Sequence, residues 1–283
     1  MISIVTPSLN QAPFLLDCLQ SVARQGTAPV EHLVIDGGST DDTVPMLRRV
    51  AGQPGYEHLK WTSATDSGQS EALNRGFRAA TGEIIGWLNS DDRYRAGCFR
   101  TVEQAFQDHP NIDVIYGDYA WIDERGRILQ LRREISFSGF VLLYHRVLYI
   151  PTTAMFFRRR ILDDGHFLND DLHYAMDFEF FVRLHASGYR FLHIPRFLGD
   201  FRFQPASKTC MHPERQLAEQ KTVMREYSPV LRRHPRGLLG EGIAGTLRAA
   251  AAIRRYGEKA LRGYYLTQFR TTAPTSLNAS CEF

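Results

Sequence analysis

The feature that most constrains the fold is an alternation of short apolar runs with longer segments of helical periodicity across the first 115 residues. Four apolar runs lie at residues 2–6, 32–35, 59–62 and 83–88 and are each followed by turn residues. After the first three, apolar side chains then recur at helical spacing. Short apolar runs bounded by turns predict buried strands, and strands that alternate with helices predict parallel pairing. We therefore expect an α/β fold, a doubly wound, mostly parallel sheet with helices on both faces.

The second half of the chain is less regular. It predicts a hairpin at residues 114–132, a strand at 153–157 and a helix at 178–186. Two strands separated by Pro195 are expected within 191–203, and a helical C-terminal segment at 211–270. The last residues, 271–283, show no periodic pattern and are expected to be disordered.

Composition excludes several classes of protein. With 283 residues and 43% hydrophobic side chains, the chain can bury one large core or two modest ones. The net charge of +3 is too weak to predict binding to nucleic acid. The four cysteines are scattered without a CxxC pair, and the first strand breaks at Pro7 without a signal-peptide pattern, so we expect a cytoplasmic protein.

The charge is unevenly distributed. After residue 228 there are nine Lys/Arg against three Asp/Glu, a charge of +6. Because the whole chain has a net charge of +3, residues 1–228 have a net charge of 3 − 6 = −3. A basic helical segment is compatible with peripheral contact with an anionic membrane. It is equally compatible with a solvated helix that packs on the body of the protein, and the sequence leaves both open.

Polar residues are concentrated where the predicted strands end. The turns after the four strands contain Ser8 and Asn10, Asp36 and Ser39, Asp66 and Gln69, and Asn89 to Asp92. Any one of these turns can be a helix cap. Together they predict a cleft, because the carboxyl ends of parallel strands meet at one edge of the sheet.

The chemistry that these turns favour is the handling of a nucleoside diphosphate. The adjacent carboxylates of Asp91 and Asp92 repel each other unless a cation, a helix N-terminus or water takes up their charge. A pyrophosphate needs a divalent cation that one or two carboxylates can hold. No GxxxxGK[ST] motif is present, which excludes a P-loop, and no GxGxxG follows the first strand.

Five segments in this order resemble the inverting glycosyltransferases of family 2, namely ISIVTPSLN, VIDGGSTDDT, TDSGQSEALNRG, GWLNSDD and YGD, over about residues 1–205. The resemblance implies the GT-A fold, with a Rossmann-like nucleotide-sugar-binding half at residues 1–115 and an acceptor-binding, catalytic half at 116–210. It also implies Mn²⁺- or Mg²⁺-dependent transfer of a hexose or N-acetylhexosamine, with inversion, in polysaccharide biosynthesis. The expected donor is a UDP-sugar, and the expected acceptor is a hydroxyl of a saccharide or lipid-linked saccharide.

The resemblance also assigns the donor site. The residues expected to bind nucleotide and donor are Pro7, Leu9, Asp36, Asp66, Gln69, Asn89 and Ser90, with Asp91 as the metal ligand. Asn89 departs from the aspartate usual at this position, which mainly meets the ribose, and we expect the metal site to be weakened but not abolished. Asp92 is expected to orient its neighbours or to cap the next helix.

The same resemblance makes Asp177 the general base that deprotonates the acceptor hydroxyl. Two alternatives stay open, since Asp177 can simply start a helix and Glu179 can pair with Arg183 at i, i+4. Asp118 is expected either to contact acceptor hydroxyls or to end a strand. Gln204 stands where the family often has a metal-binding His, and Lys208 is expected to balance phosphate charge instead.

Two other functions compete with this interpretation. A nucleotidyltransferase shares a Rossmann-like half and paired carboxylates, but it usually needs a glycine-rich basic loop after the first strand, and SLNQAPF does not supply one. A catalytically inactive nucleotide-sugar-binding protein is favoured faintly by Asn89 and opposed by the presence of Asp91 and Asp177.

Overall fold

The computed structural model describes residues 1–26, 30–145, 147–204, 211–233 and 237–268. Its strands are β1 Ile2–Ser8, β2 Val30–Asp36, β3 Leu59–Ser63, β4 Ile84–Trp87, β5 Arg93–Tyr94, β6 Val114–Ile122, β7 Ile128–Arg132, β8 Met155–Arg158 and β9 Phe191–Arg202. Its helices are α1 Ala12–Ala23, α2 Thr43–Ala51, α3 Gln69–Ala79, α4 Cys98–Asp108, α5 Gly139–His145, α6 Arg160–Asp163, α7 Met176–Ala186, α8 Pro213–Tyr227, α9 Pro229–Arg233, α10 Leu238–Leu261 and α11 Tyr264–Gln268. Lys208 and the tail 271–283 lie outside the described residues.

Within these residues one nine-stranded sheet has the order β3-β2-β1-β4-β8-β6-β9-β5, and β7 pairs with β6 beside this path. Strands β1 to β4, β6 and β9 run in one direction, whereas β5, β7 and β8 run in the other. All seven residues of β1 are buried, as expected for a strand covered on both faces. The predicted, mostly parallel α/β sheet is confirmed.

Helices cover both faces of the sheet. On one face Val5 packs in a cluster with Phe77 of α3 and Phe180 of α7. On the other face Ile4 packs in a cluster with Cys18 of α1, and α4 contributes to the same cluster. Adjacent residues of one strand therefore serve opposite cores, because successive strand side chains point to opposite faces.

Two details of the predicted strands are wrong. Residues 152–154 form a 3-10 turn, closed by the Ala154 N–H to Pro151 O bond of 3.0 Å, so the strand predicted at residues 153–157 begins at Met155. The two strands predicted around Pro195 are one strand, β9, whose register against β6 shifts between Ile194 and Phe197. Pro195 is tolerated there because a bulge removes the need for its missing N–H.

The C-terminal helices pack on the body of the protein. Ala244 and Ala251 of α10 are buried in an apolar cluster with Tyr144 of α5. Beneath α10 the buried Glu134 carboxylate lies 3.0 Å from Arg255 Nη2 and 2.9 Å from Lys259 Nζ. The inner face of the basic segment is therefore a packing surface, as one of the two predicted alternatives required.

The expected division of the chain at residue 115 falls inside β6, so both halves share one sheet and the division stays a prediction. No helix in the described parts of the chain has both the length and the apolar character that crossing a membrane requires.

Candidate active site

A cleft of about 350 Å³ opens at the carboxyl edge of the sheet, a size typical of small-molecule sites. It is lined by Pro7, Ser8, Leu9, Gln11, Asp66, Gly68, Gln69, Ala72, Asn89, Ser90, Asp91, Phe201, Arg202 and Gln204. The structure thus brings most of the predicted donor-site residues together, and of that set only Asp36 is not part of this lining. Gln11, Phe201 and Arg202 were not predicted.

The turn after β1 forms the wall at one end of the cleft. Asn10 adopts a left-handed backbone with φ 53°, and its side-chain Oδ1 accepts the Thr40 N–H at 2.9 Å. The Asn10 N–H donates in turn to Ser39 Oγ at 2.8 Å. These bonds hold Leu9 with 54% of its surface exposed, so the cleft has an apolar side chain in its lining.

Asp36, at the end of β2, is buried and organises the next turn. Its Oδ2 accepts the N–H groups of Gly38 and Ser39 at 3.1 and 3.0 Å, and the hydroxyl of Ser63 at 2.6 Å. Its contact with a nucleotide base stays a prediction.

Asp66 rests against the bare backbone of Gly37. A Cβ atom built on Gly37 would lie 2.6 Å from Asp66 Oδ2, so only glycine leaves room for the carboxylate. Asp66 Oδ1 accepts the Gly68 N–H at 3.0 Å, and burial raises the pKa of the Asp66 carboxyl. The carboxylate is thereby fixed on the cleft wall.

Asn89 is held by three side chains. Its Oδ1 accepts the Trp87 indole N–H at 2.9 Å and the Gln69 Nε2–H at 3.0 Å. Its Nδ2 therefore faces Asp92 Oδ2, at 3.5 Å. An amide suits this place because one end must accept and the other must donate.

Asp92 is buried and holds neighbouring segments together by hydrogen bonds, which is the orienting role expected of it. Its Oδ2 accepts the Thr153 hydroxyl at 2.5 Å and its Oδ1 accepts the Arg202 N–H at 2.8 Å. Burial, followed by the charge of Asp91, raises its pKa well above the ordinary value. Asp92 thus ties the end of β4 to β9.

Asp91, by contrast, lines the cleft. Its Oδ2 accepts the Gln204 Nε2–H at 2.7 Å, and burial raises the pKa of its carboxyl. A desolvated carboxylate held by an amide gains from a nearby cation, and carboxylate and amide oxygens suit Mg²⁺ or Mn²⁺. No group of three His, Cys, Asp or Glu capable of holding a metal occurs among the described residues. An ion held by Asp91 would take its other ligands from water and phosphate.

Arg202, at the end of β9, anchors this turn. Its Nε donates to the Asp91 carbonyl at 2.8 Å, and its Nη2 donates to Asp17 Oδ2 at 2.7 Å. Its Nη1 donates to two further carbonyls, those of Asp123 and Glu124. Most N–H donors of the guanidinium are bonded to protein oxygens, so few remain for a ligand. Arg202 therefore contributes mainly its positive charge, which lies behind Asp91. A basic residue closing the last parallel strand was the signal that could have found it.

Asp177 is the second residue of α7, which begins at Met176 and is preceded by Ala175 at the N-cap position. Its Oδ1 accepts the adjacent Phe178 N–H at 2.7 Å, but α7 has no side-chain cap, so Asp177 is not the residue that starts the helix. Desolvation raises the pKa of Asp177 to about 6. The Ser70 hydroxyl, beside the cleft residue Gln69, donates to Leu172 O at 3.1 Å, which places the segment before Asp177 against the start of α3.

The carboxylates of Glu179 and Asp118, which the sequence also singled out in this half, contact other protein groups. Glu179 Oε1 lies 2.7 Å from Arg183 Nε, as the i, i+4 spacing predicted, so this carboxylate is engaged in an ion pair. Asp118 is fully buried and accepts the Glu134 N–H at 3.0 Å, with His193 Nε2 at 2.8 Å. Its contact with an acceptor stays a prediction.

Comparison with protein families matches residues 3–165 to glycosyl transferase family 2. A PGL/p-HBAD biosynthesis glycosyltransferase of Mycobacterium tuberculosis is 40% identical over 119 residues, which are 42% of this chain and 46% of the relative. An uncharacterized glycosyltransferase of Nostoc sp. is 26% identical over 57% of this chain and 52% of its own length. The chain therefore spans about half the length of the curated relatives it matches.

Solved structures show the same fold. S. aureus TarS 1–349 in complex with UDP-GlcNAc superposes with a TM-score of 0.64 at 18% identity, over 94% of this chain and 75% of TarS 1–349. The mannosyltransferase PcManGT from Pyrobaculum calidifontis, in complex with GDP-Man and Mn²⁺, superposes with a TM-score of 0.61 at 17% identity, over 94% of this chain and 79% of its own. The predicted GT-A fold is confirmed.

Proposed function

Because this chain belongs to glycosyl transferase family 2, we propose that it is a metal-dependent inverting glycosyltransferase. It transfers a hexose or N-acetylhexosamine from a nucleoside-diphosphate sugar, with a UDP-sugar as the leading donor, to a hydroxyl of a saccharide or lipid-linked saccharide. The observation that carries the proposal is the convergence of Pro7, Leu9, Asp66 and Gln69 with the carboxylate of Asp91 on one cleft.

The donor follows from the shape and polarity of this cleft. The exposed Leu9 side chain offers an apolar surface for the base, while Asp66 and Gln69 offer hydrogen bonds to hydroxyl groups of the ribose or sugar. Two similar structures contain UDP-GlcNAc and GDP-Man, which supports a nucleotide sugar as the donor. Calorimetry with UDP-, GDP- and dTDP-sugars, each with and without Mn²⁺, tests the proposal. Absence of binding by all three classes would contradict it.

Asp91 would hold the divalent ion, with Gln204 beside it at 2.7 Å. A bound Mn²⁺ or Mg²⁺ would neutralise the charge that develops on the leaving nucleoside diphosphate. The protein contributes Arg202, whose positive charge lies directly behind the Asp91 carbonyl. Support for a metal comes from the chemistry of these oxygen ligands and from the Mn²⁺ bound to PcManGT.

Asp177 would remove the proton from the acceptor hydroxyl as that hydroxyl attacks the anomeric carbon. A pKa of about 6 leaves the carboxylate ionised at neutral pH while keeping it a stronger base than a solvated aspartate. A single displacement from the face opposite the nucleotide inverts the configuration, so no nucleophile of the enzyme is needed.

We place the lipid-linked acceptor at an anionic membrane on the cytoplasmic side, contacted by the outer face of α10. Its inner face packs on the body, but Ile253 and Leu261 are 73% and 91% exposed, and Arg248 and Arg254 are exposed nearby. Exposed apolar side chains beside arginines suit an interfacial helix. Co-sedimentation with anionic vesicles should fall for Ile253→Glu/Leu261→Glu and not for the control Leu217→Glu on α8. Equal sedimentation of both variants would contradict this contact.

Family membership argues against a nucleotidyltransferase. The inactive-binder alternative differs in one measurable respect, because an enzyme with Asp91 and Asp177 in place should slowly hydrolyse its donor in the presence of Mn²⁺. Tight donor binding without any turnover would favour the inactive binder.

A further inference from the structure

The loop before α7 donates three consecutive backbone N–H groups to one carboxylate from the C-terminal segment. Glu219 of α8 accepts the His173 N–H at 3.2 Å through Oε1, and the Tyr174 and Ala175 N–H groups at 2.8 Å through Oε2. Ala175 precedes the first residue of α7 and has no side chain able to cap it. Glu219 thus performs from another helix the task of a capping side chain.

This loop is close to the cleft and leads along the chain to the proposed base. A Cβ atom built on the cleft residue Gly68 would lie 3.6 Å from His173 Nδ1, so the loop lies beside the cleft wall. Asp177 follows only two residues after Ala175. A shift of this loop would therefore move the base relative to the bound donor.

Further contacts from the start of α8 hold the same loop. The ring of Tyr174 packs edge-on against His212, with ring centroids 5.6 Å apart, and the Tyr174 hydroxyl accepts Arg215 Nη1–H at 3.3 Å. These contacts lie beyond residue 165, where the match to the family ends. The C-terminal segment therefore reaches the catalytic centre through α8.

We propose that Glu219 is a positioning residue for Asp177, an inference that rests on the proposed function. Its three hydrogen bonds fix the start of α7 and hence the direction of the base. Its negative charge adds to the burial that raises the pKa of Asp177. Glu219 is the charged neighbour that acts on Asp177 across the contact between α8 and α7.

The test is Glu219→Gln in the full chain, with Glu226→Gln, an exposed glutamate in the last turn of the same helix, as the matched control. Glutamine has one acceptor oxygen, so at least one of the three N–H groups loses its acceptor. We expect faster amide hydrogen exchange at residues 173–175 and a lower pKa of Asp177 in a ¹³C-carboxyl NMR titration. With UDP-N-acetylglucosamine and Mn²⁺, hydrolytic kcat should fall about 10- to 100-fold at unchanged KM.

A purely structural role would lower the melting temperature and leave the Asp177 pKa and kcat at wild-type values, and that result would overturn the inference. Glu219→Asp keeps the charge but is one methylene shorter. It should keep the pKa near the wild-type value while exchange quickens and kcat falls, and wild-type exchange and kcat would overturn the inference even if Glu219→Gln does not fold.

Asp177→Asn, measured alongside, separates the positioning role of Glu219 from the assignment of Asp177 as the general base. If Asp177→Asn loses turnover while Glu219→Gln behaves like its control, the positioning role alone fails. If Asp177→Asn retains turnover, the assignment of the base fails, whatever the NMR titration of the Glu219 variants shows.

Discussion

Asp177→Asn is expected to make the protein more stable and less active at once. Desolvation raises the pKa of Asp177 from 3.8 to about 6, so the carboxylate is ionised at neutral pH at a greater cost in the folded state than in the unfolded chain. At ~1.4 kcal/mol per unit, with allowance for partial exposure, the cost is about 2–3 kcal/mol. Asparagine carries no charge and keeps an oxygen for the Phe178 N–H, so the substitution removes most of that cost.

The stabilisation depends on pH in a defined direction. Because the folded-state pKa is raised, the carboxylate destabilises the fold only where the unfolded chain is ionised. The gain from Asp177→Asn should be absent below about pH 4, grow as the pH rises and be complete above about pH 6. For 283 residues the entropy of unfolding is ~0.6 kcal/mol/K, so the melting temperature should rise by about 3–5 °C at pH 7.5.

The activity of the same variant should fall. Loss of a general base typically costs about 10²–10⁴-fold, and wild-type activity should itself decline as the pH falls below 6. Donor affinity should stay unchanged, since Asp177 is not part of the cleft lining. The assay is single-turnover transfer beside a melting curve at pH 4.5 and 7.5, with the exposed Asp171→Asn as the control. Near-normal transfer would refute the base, and an unchanged melting temperature at pH 7.5 would refute the burial argument.

Three further substitutions probe the donor cleft. Asp91→Ala should abolish the Mn²⁺-dependent part of nucleotide binding without unfolding the protein, and calorimetry with equal affinities in the presence and absence of Mn²⁺ would contradict its role. Asn89→Asp should lower the melting temperature by several degrees, because it replaces a donor 3.5 Å from the buried Asp92 carboxylate with a second carboxylate; an unchanged melting curve would disprove this. Gly37→Ala should raise the donor KM about tenfold with little loss of stability, since its methyl group displaces Asp66 from the cleft wall, and a wild-type KM would show that Asp66 does not bind donor.

Much of the fold could be predicted from local patterns. Strand β1 and helix α1 were evident because apolar periodicity and Pro13 act within a few residues. The meeting of Pro7, Asp66 and Asn89 at one edge followed as well, since parallel strands bring their carboxyl ends to the same side. These features depend on the backbone and on spacing along the chain, which the sequence contains directly.

The roles of the individual carboxylates were decided by tertiary structure. Asp91 and Asp92 are adjacent and chemically identical, yet Asp91 lines the cleft while Asp92 is buried against Thr153 and the backbone of Arg202. That difference arises where the end of β9 returns beside the turn that precedes β5, 110 residues later along the chain. Glu219 reaches the loop before Asp177 across a shorter gap of 44 to 46 residues. Spacing along a chain cannot encode such contacts, because burial and charge at each carboxylate depend on which distant segment packs against it.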